Sequence, residues 1–244
     1  MSEDRHSEVR LIRHGETRGY HADLGLTGRG RAQSLAKGAQ LAAGPGPVRL
    51  LHAPTARATE TAAALAEGLL STNGTLAITG PSVDARFDNF RLWCDEEALD
   101  PTQAYAAYAS IRDGGGERPG WFAEIDRFFT IQAAGDDPIT YWLTQPVQHF
   151  EPAAVAVRRF WHGIVAHAEP GLRVFVATHS GCIRAVAAAA FGHDPGEPEN
   201  TEDVLIRIRA GRAELTYRGR TVELVVPTTV TAPWHEGEPQ HAHR

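Results

Sequence analysis

Two histidines stand where a sheet protein does its chemistry. Val9-Arg10-Leu11-Ile12 is a short β-forming run that stops at Arg13-His14-Gly15-Glu16-Thr17, and Leu172 to Ala177, the most strand-like run in the chain, stops at Thr178-His179-Ser180-Gly181. Ligands of open α/β sheets bind outside the carboxyl ends of the strands, so both imidazoles can meet in one crevice. Arg13 sits beside the first histidine, and Arg57 lies near the start of an alanine- and leucine-rich helix beginning at Pro54. Two arginines, two histidines and the backbone N–H groups around Gly15 and Ser180-Gly181 make an anion pocket suited to a tetrahedral phosphoryl group. An Arg-His-Gly tripeptide alone is a weak signal. Its placement after a strand, together with the second histidine and the helix-start arginine, carries the reading.

These residues need a scaffold, and the pattern along the chain supplies one. Leu26-Thr27 opens a helical stretch that closes at Gly44-Pro45-Gly46-Pro47, and Val48 to Leu51 reads as a strand. The helix from Pro54 to Leu70 takes Thr55 as its candidate cap, and Thr75 to Ile78 is a third strand ending before Gly80-Pro81. From about residue 84 to residue 150 the pattern weakens into an aromatic-rich insertion with short helices, read as a lid. An amphipathic helix from Pro152 to His167, the Leu172 strand, a helix from Cys182 to Phe191, and strands at 204–208, 213–217 and 222–226 complete the chain. Strands alternating with helices predict an α/β fold, a three-layer sandwich with a mostly parallel sheet flanked by helices and an inserted lid region. One domain is expected over 1–226, with a mobile tail over 227–244.

At this point the sequence resembles the histidine phosphatase superfamily, the phosphoglycerate-mutase-like group, in its phosphatase branch. Leu11 to Thr17 matches the family's first signature, and Leu26 to Gln33 matches a Leu-Thr-x-x-Gly-x-x-Gln element. The Arg57 helix matches the segment of its second arginine, and Thr178 to Arg184 that of its second histidine. The resemblance implies a phosphoglycerate-mutase-like fold and makes His14 the nucleophile that accepts the phosphoryl group. Arg13, Arg57 and His179 then hold its oxygens, with Glu16, Thr17 and Ser180 in the binding shell. Flanking cations keep the imidazole below its ordinary pKa of about 6.5, and water later cleaves the phosphohistidine. No metal or other cofactor is required by this scheme, and the partner is a small phosphorylated substrate.

Three positions depart from the family pattern. Tyr20 stands where asparagine is usual, and Ser180 follows the second histidine where many members have glycine. The third bears on chemistry: in Arg86-Phe87-Asp88-Asn89-Phe90 the place of the family's acid glutamate is taken by Asn89. Asp88 is the candidate proton donor if the loop is rotated by one residue. The expected function is a metal-independent phosphatase of phosphate monoesters. A phosphoglycerate-mutase-type phosphotransferase and a non-catalytic phosphate-binding relative are the alternatives, the first disfavoured by the short span from His14 to Leu26 and the second motivated by Asn89.

Other residues read as structural. His162 and His167 are five apart on one helix and do not share a face for a metal, and Arg158-Arg159 reads as a solvated helix face. Asp95-Glu96-Glu97 reads as a charge run at a helix N-terminus, and the insertion aromatics as the core of the lid. Of the chain's 244 residues, 30 are acidic and 24 Lys or Arg, a formal charge of -6 that argues against a nucleic-acid or polybasic membrane surface. Two cysteines, Cys94 and Cys182, are too few for a disulfide framework. With no apolar leader or membrane-length run in the sequence, the expectation is a cytoplasmic protein.

Overall fold

The computed structural model describes residues 6–115 and 117–226, and the tail expected from residue 227 lies outside them. β1 (Ser7–Arg13), β2 (Val48–His52), β3 (Ile78–Val83) and β6 (Arg173–Thr178) run parallel. β7 (Asp203–Arg209), β8 (Arg212–Tyr217) and β9 (Arg220–Val225) are joined antiparallel, and the sheet order is β3-β2-β6-β1-β7-β8-β9. A small hairpin, β4 (Leu92–Cys94) and β5 (Glu97–Leu99), lies outside this sheet. The predicted three-layer α/β architecture with a mostly parallel centre is therefore the one observed.

Alternation along the central strands sorts the core into two faces. Ile12, Leu50, Phe175 and Ala177 pack on one side with Ala62, Leu65 and Leu69 of α2 (Ala56–Thr72), which itself packs on α1 (Gly28–Leu41). Leu11, Leu51, Val174 and Val176 point the other way, toward α6 (Ala153–His167) and α7 (Ser180–Phe191). Successive strand side chains alternate, so one hydrophobic run serves both layers. The insertion supplies α3 (Pro101–Gly114), α4 (Phe122–Ala133) and α5 (Pro138–Thr144), and its aromatics join this second cluster. Phe90 stacks on Trp142 with ring centroids 4.2 Å apart, and Phe128 meets Phe90 edge-on. The lid is thus an extension of the main core, as the reading of its aromatics expected. Trp93, on the hairpin, is the exception at 37% exposure.

Several boundaries differ from the sequence reading. The third strand begins where it was expected to end and runs through Gly80-Pro81, because β3 is an edge strand pairing only with β2, where proline's missing N–H costs no ladder bond. Asp95 and Glu96 form the β4–β5 turn and start no helix; Asp95 takes a positive φ of 54° and accepts a hydrogen bond from Trp121 Nε1. Arg159 is half-buried and far from a solvated face: it pairs with Glu151 and donates to the carbonyls of Arg86, Asp88 and Asn89. His162 is exposed and His167 binds Asp84, as expected of structural histidines. No described helix is long and apolar enough to cross a membrane.

α1 and α2 cross at paired glycines. A Cβ on Gly68 would lie 2.2 Å from the Leu35 carbonyl oxygen, and one on Gly38 would lie 2.3 Å from that of Leu65. Glycine to alanine inside a free helix gains roughly 1 kcal/mol, but here the clash is with backbone that cannot yield. Gly68→Ala is therefore expected to destabilise the fold by about 1–3 kcal/mol in chemical denaturation. A stabilised variant would show that the helices are free to separate.

Candidate active site

The first histidine is delivered by the end of β1 and fixed by its neighbours. Its Nδ1 lies 2.8 Å from the Gly15 carbonyl oxygen, which selects the Nδ1–H tautomer and leaves Nε2 with its lone pair. His14 and His179 are both buried, with ring centroids 5.5 Å apart. The strand ends therefore bring the two imidazoles together as the spacing predicted. Gly15 is needed for close packing: a Cβ there would lie 2.4 Å from the Gly30 carbonyl oxygen, and one on Gly30 would lie 2.1 Å from that of Glu16.

Arg57 opens α2 with its side chain 2% exposed. Its terminal nitrogens reach Asp23 and Asp100, each at 3.2 Å. Asp23 also accepts from the Ala56 backbone N–H at 2.6 Å, so this loop aspartate, and no side-chain bond from Thr55, caps the helix. Thr55 turns its hydroxyl to His179 Nε2 at 3.4 Å. Arg13 binds the Pro198 carbonyl, the Tyr20 hydroxyl at 3.3 Å and Glu197 at 3.1 Å. Among the residues lining the cavity, three buried nitrogens keep no partner: Arg13 Nε, Arg57 Nε and His179 Nδ1. Buried donors without acceptors are costly, and an oxyanion would satisfy this set.

The expected backbone donors divide. Gly15 N–H is spent on Thr61 Oγ1 and Glu16 N–H on Gln33 Oε1, both at 3.0 Å, so the first loop offers no N–H groups of this kind to a ligand. Ser180 and Gly181 begin α7, whose cap His179 makes no side-chain bond to the first turn, and both line the cavity. Helix N-termini present N–H groups and a favourable dipole to anions. Glu16 and Thr17 are not on the cavity wall. Glu16 accepts from Thr27 Oγ1, and Thr17 donates to the Gly25 carbonyl, each at 2.8 Å, so they fix the loop that carries His14.

Of the two residues weighed for the proton donor's place, one reaches the cavity wall. Asn89 lines the cavity and Asp88 does not. Asp88 is buried behind His179, with Oδ1 at 4.0 Å from Nε2 and Oδ2 paired with Arg91. Burial pushes its carboxyl above the usual range despite Arg91. Asn89 gives its amide N–H to Asp100 at 3.3 Å. Asp100 itself was legible as a capping box, Asp-x-x-Gln at residues 100–103 ahead of α3, although its tie to Arg57 was not. Phe90, Phe128, Phe129, Pro138 and Ile139 form apolar wall, and Gln132, Asp136, Asp137 and Glu197 polar wall, of a cavity of about 370 Å³. Among the described residues there is no group of three or more His, Cys, Asp or Glu placed to hold a metal ion.

Burial, then Arg57, lowers the His14 pKa to about 3, and the same causes hold His179 well below the ordinary histidine value. Both rings are thus neutral in the folded protein across the physiological range, while an unfolded histidine takes up a proton near pH 6.5. The unfolded state binds more protons below that pH, so stability falls as pH drops from about 6.5 toward 3. His14→Gln is expected to flatten this fall in denaturation series at pH 7, 6, 5 and 4. In NMR titrations the His14 ring signals should stay fixed from pH 7.5 to 4.5, and a midpoint near 6.5 would contradict the buried neutral ring.

Comparison with known proteins agrees with this architecture. A family model described as histidine phosphatase superfamily (branch 1) matches residues 9–76. No curated protein matches the sequence. Among solved structures, a mycobacterial glucosyl-3-phosphoglycerate phosphatase in complex with VO3 is 22% identical with a TM-score of 0.53, covering 87% of this chain and 98% of its own. Bacillus stearothermophilus YhfR is 18% identical with a TM-score of 0.54, covering 87% and 96%. A structure named mycobacterial hydrolase 1 is 21% identical with a TM-score of 0.52, covering 89% and 100%. At these identities the structures speak to the fold, and the sequence match speaks to the segment bearing Arg13, His14 and Arg57. Residues 9–76 are thus similar to the histidine phosphatase superfamily, and the chain shares the fold of these solved structures.

Proposed function

We propose that the protein is a phosphatase that passes the phosphoryl group of a phosphate monoester through His14 to water. The observation that carries this reading is the neutral, lone-pair-bearing Nε2 of a buried His14 beside partnerless donors on Arg13, Arg57 and His179. In the first step Nε2 attacks phosphorus, the P–N bond forms, and the ester oxygen leaves with the bonding pair. In the second, water attacks phosphorus, the N–P bond breaks, and the electron pair returns to Nε2 as the water proton passes to solvent. Arg13, Arg57 and His179 balance charge on the equatorial oxygens in both steps. A mutase-type transfer draws no support from the cavity, whose charged residues away from this cationic end are acidic. A phosphate-binding relative without turnover is the outcome that Asn89 makes worth testing.

His14→Ala should abolish turnover of p-nitrophenyl phosphate, and acid-labile, base-stable phosphate should be trapped on the wild-type protein alone. Vanadate should inhibit, and EDTA should leave the rate intact. Removing the Arg57 fork leaves phosphoryl charge unbalanced, so Arg57→Ala should lower kcat/KM by at least ~100-fold. Full activity in either variant would refute the mechanism.

Asp88 sits behind His179, outside the cavity, so its role is positioning. General acid catalysis is worth roughly 10²–10⁴-fold and falls mainly on poor leaving groups. Asp88→Asn should instead lower kcat for alkyl and nitrophenyl phosphates by the same factor. A loss confined to alkyl esters would return Asp88 to the role of proton donor.

A further inference from the structure

The far end of the cavity is built for a different chemistry from the phosphate end, and three observations there point one way. The first is the state of the carboxylates. Asn89, on the cavity wall, carries an amide, which has no acidic proton to transfer. Asp100 accepts from Thr102 N, Thr102 Oγ1, Arg57 and Asn89, so both its oxygens are occupied as acceptors. Asp137 caps α5 and accepts from Thr140 Oγ1 at 2.7 Å and Arg184 at 2.6 Å, which against burial hold its carboxyl below the usual range, and Glu197 pairs with Arg13. Asp100, Asp137 and Glu197 are each already engaged, so none of these three is free to protonate a departing oxygen.

The second observation is the wall itself. Phe90, Phe128 and Phe129 are buried and interlocked, Phe90 by its stack on Trp142 and Phe128 edge-on to both Phe90 and Phe129. Phe90 and Ile139 close over Gly181 at the start of α7, where a Cβ would lie 3.0 Å from the Phe90 ring and 3.2 Å from Ile139 Cδ1. The apolar surface therefore begins directly beside the helix end that faces the anion. Rigid aromatic walls favour a flat ring that stacks or meets them edge-on. The third is charge. Apart from Arg13, Arg57 and the histidines, the charged residues lining the cavity are Asp136, Asp137 and Glu197, the last paired with Arg13. A leaving group with its own carboxylate or phosphate would meet like charge there.

Resting on the phosphatase reading, we infer that the substrate class is aryl phosphates: esters of an uncharged, flat phenol whose oxygen leaves as the phenolate. As the P–N bond to His14 forms, the P–O(aryl) bond breaks and the phenolate carries away the electron pair. A phenol ionises near pH 10, so its oxyanion departs without a proton from the protein and takes one from solvent afterwards. An alkoxide does not, and the missing acid costs it roughly 10²–10⁴-fold.

The test compares 1-naphthyl phosphate, phenyl phosphate, glycerol 3-phosphate and 3-phosphoglycerate on the whole wild-type chain. The expected result is a kcat/KM for 1-naphthyl phosphate at least ~100-fold above that for glycerol 3-phosphate, with 3-phosphoglycerate lowest. Across substituted phenyl phosphates the rate should fall steeply as the phenol pKa rises. Asn89→Glu should flatten that slope and raise glycerol 3-phosphate turnover. Ile139→Ser should raise KM for 1-naphthyl phosphate more than for phenyl phosphate, because the second ring loses its wall. Glycerol 3-phosphate or 3-phosphoglycerate turned over as well as the aryl esters, by a His14-dependent route, would overturn this inference and leave the phosphatase reading standing. A folded protein that hydrolyses none of the four would overturn both.

Discussion

Arg57 holds a full positive charge in a side chain that is 2% exposed, and much of the surrounding architecture answers the demands of that burial. A guanidinium without water needs anionic partners placed to accept from its fork, and removing one partner of such a pair leaves an unpaired buried charge. Asp23 comes from the loop ahead of α1 and Asp100 from the cap of α3, so one cation ties the first loop and the lid to the start of α2. The position is also electrostatically awkward, because the N-terminus of a helix is its positive end. Asp23 offsets this by accepting from Ala56 N–H with its other oxygen, capping the helix and neutralising the arginine together. The nitrogen left over, Arg57 Nε, is the one a phosphoryl oxygen can use.

The same cation sets the state of the histidines. Burial and Arg57 both oppose a charged imidazole at residues 14 and 179, and the result is a pair of neutral rings side by side. That arrangement costs stability in acid, and on the proposed function it keeps His14 a free base near neutrality, a familiar exchange where a site is assembled from groups that would each prefer water. On the proposed function, a phosphoryl oxygen would take up nitrogens of Arg13, Arg57 and His179 that the protein itself leaves without a partner.

What the sequence disclosed was the part governed by local rules. Strand runs ending at His14 and His179, the glycine at 15 and the arginine at the head of α2 follow from periodicity and turn chemistry, and they fixed the cationic end. The edge strand through Gly80-Pro81 was missed because proline reads as a stop unless one knows the strand has a free edge. Asp23, Asp100 and Glu197 were missed for a deeper reason. Each acts on an arginine 34, 43 or 184 residues away, and nothing in the neighbouring sequence records that contact. Glu16 and Thr17 belong to the motif by position, yet the fold spends them on holding the loop in shape.

The segment from Asp88 to Phe90 shows how one long-range contact decides between two chemistries. Turning this loop by a residue would bring a carboxylate to the cavity wall. Arg159 prevents it by donating to the carbonyls of Asp88 and Asn89 and to that of Arg86, just ahead of them, while Glu151 holds the guanidinium from the other side. Phe87 and Phe90, buried in the core on either side, pin the ends of the same stretch. With carbonyls and flanking rings fixed, successive side chains are committed to different surroundings: Asp88 to Arg91 and His179, Asn89 to Asp100 and the cavity. A free loop could trade one for the other at little cost, whereas this one would have to strip three hydrogen bonds from a half-buried arginine. The amide at this wall is therefore held in place by the fold, and on the proposed function the burden of departure falls on the leaving group.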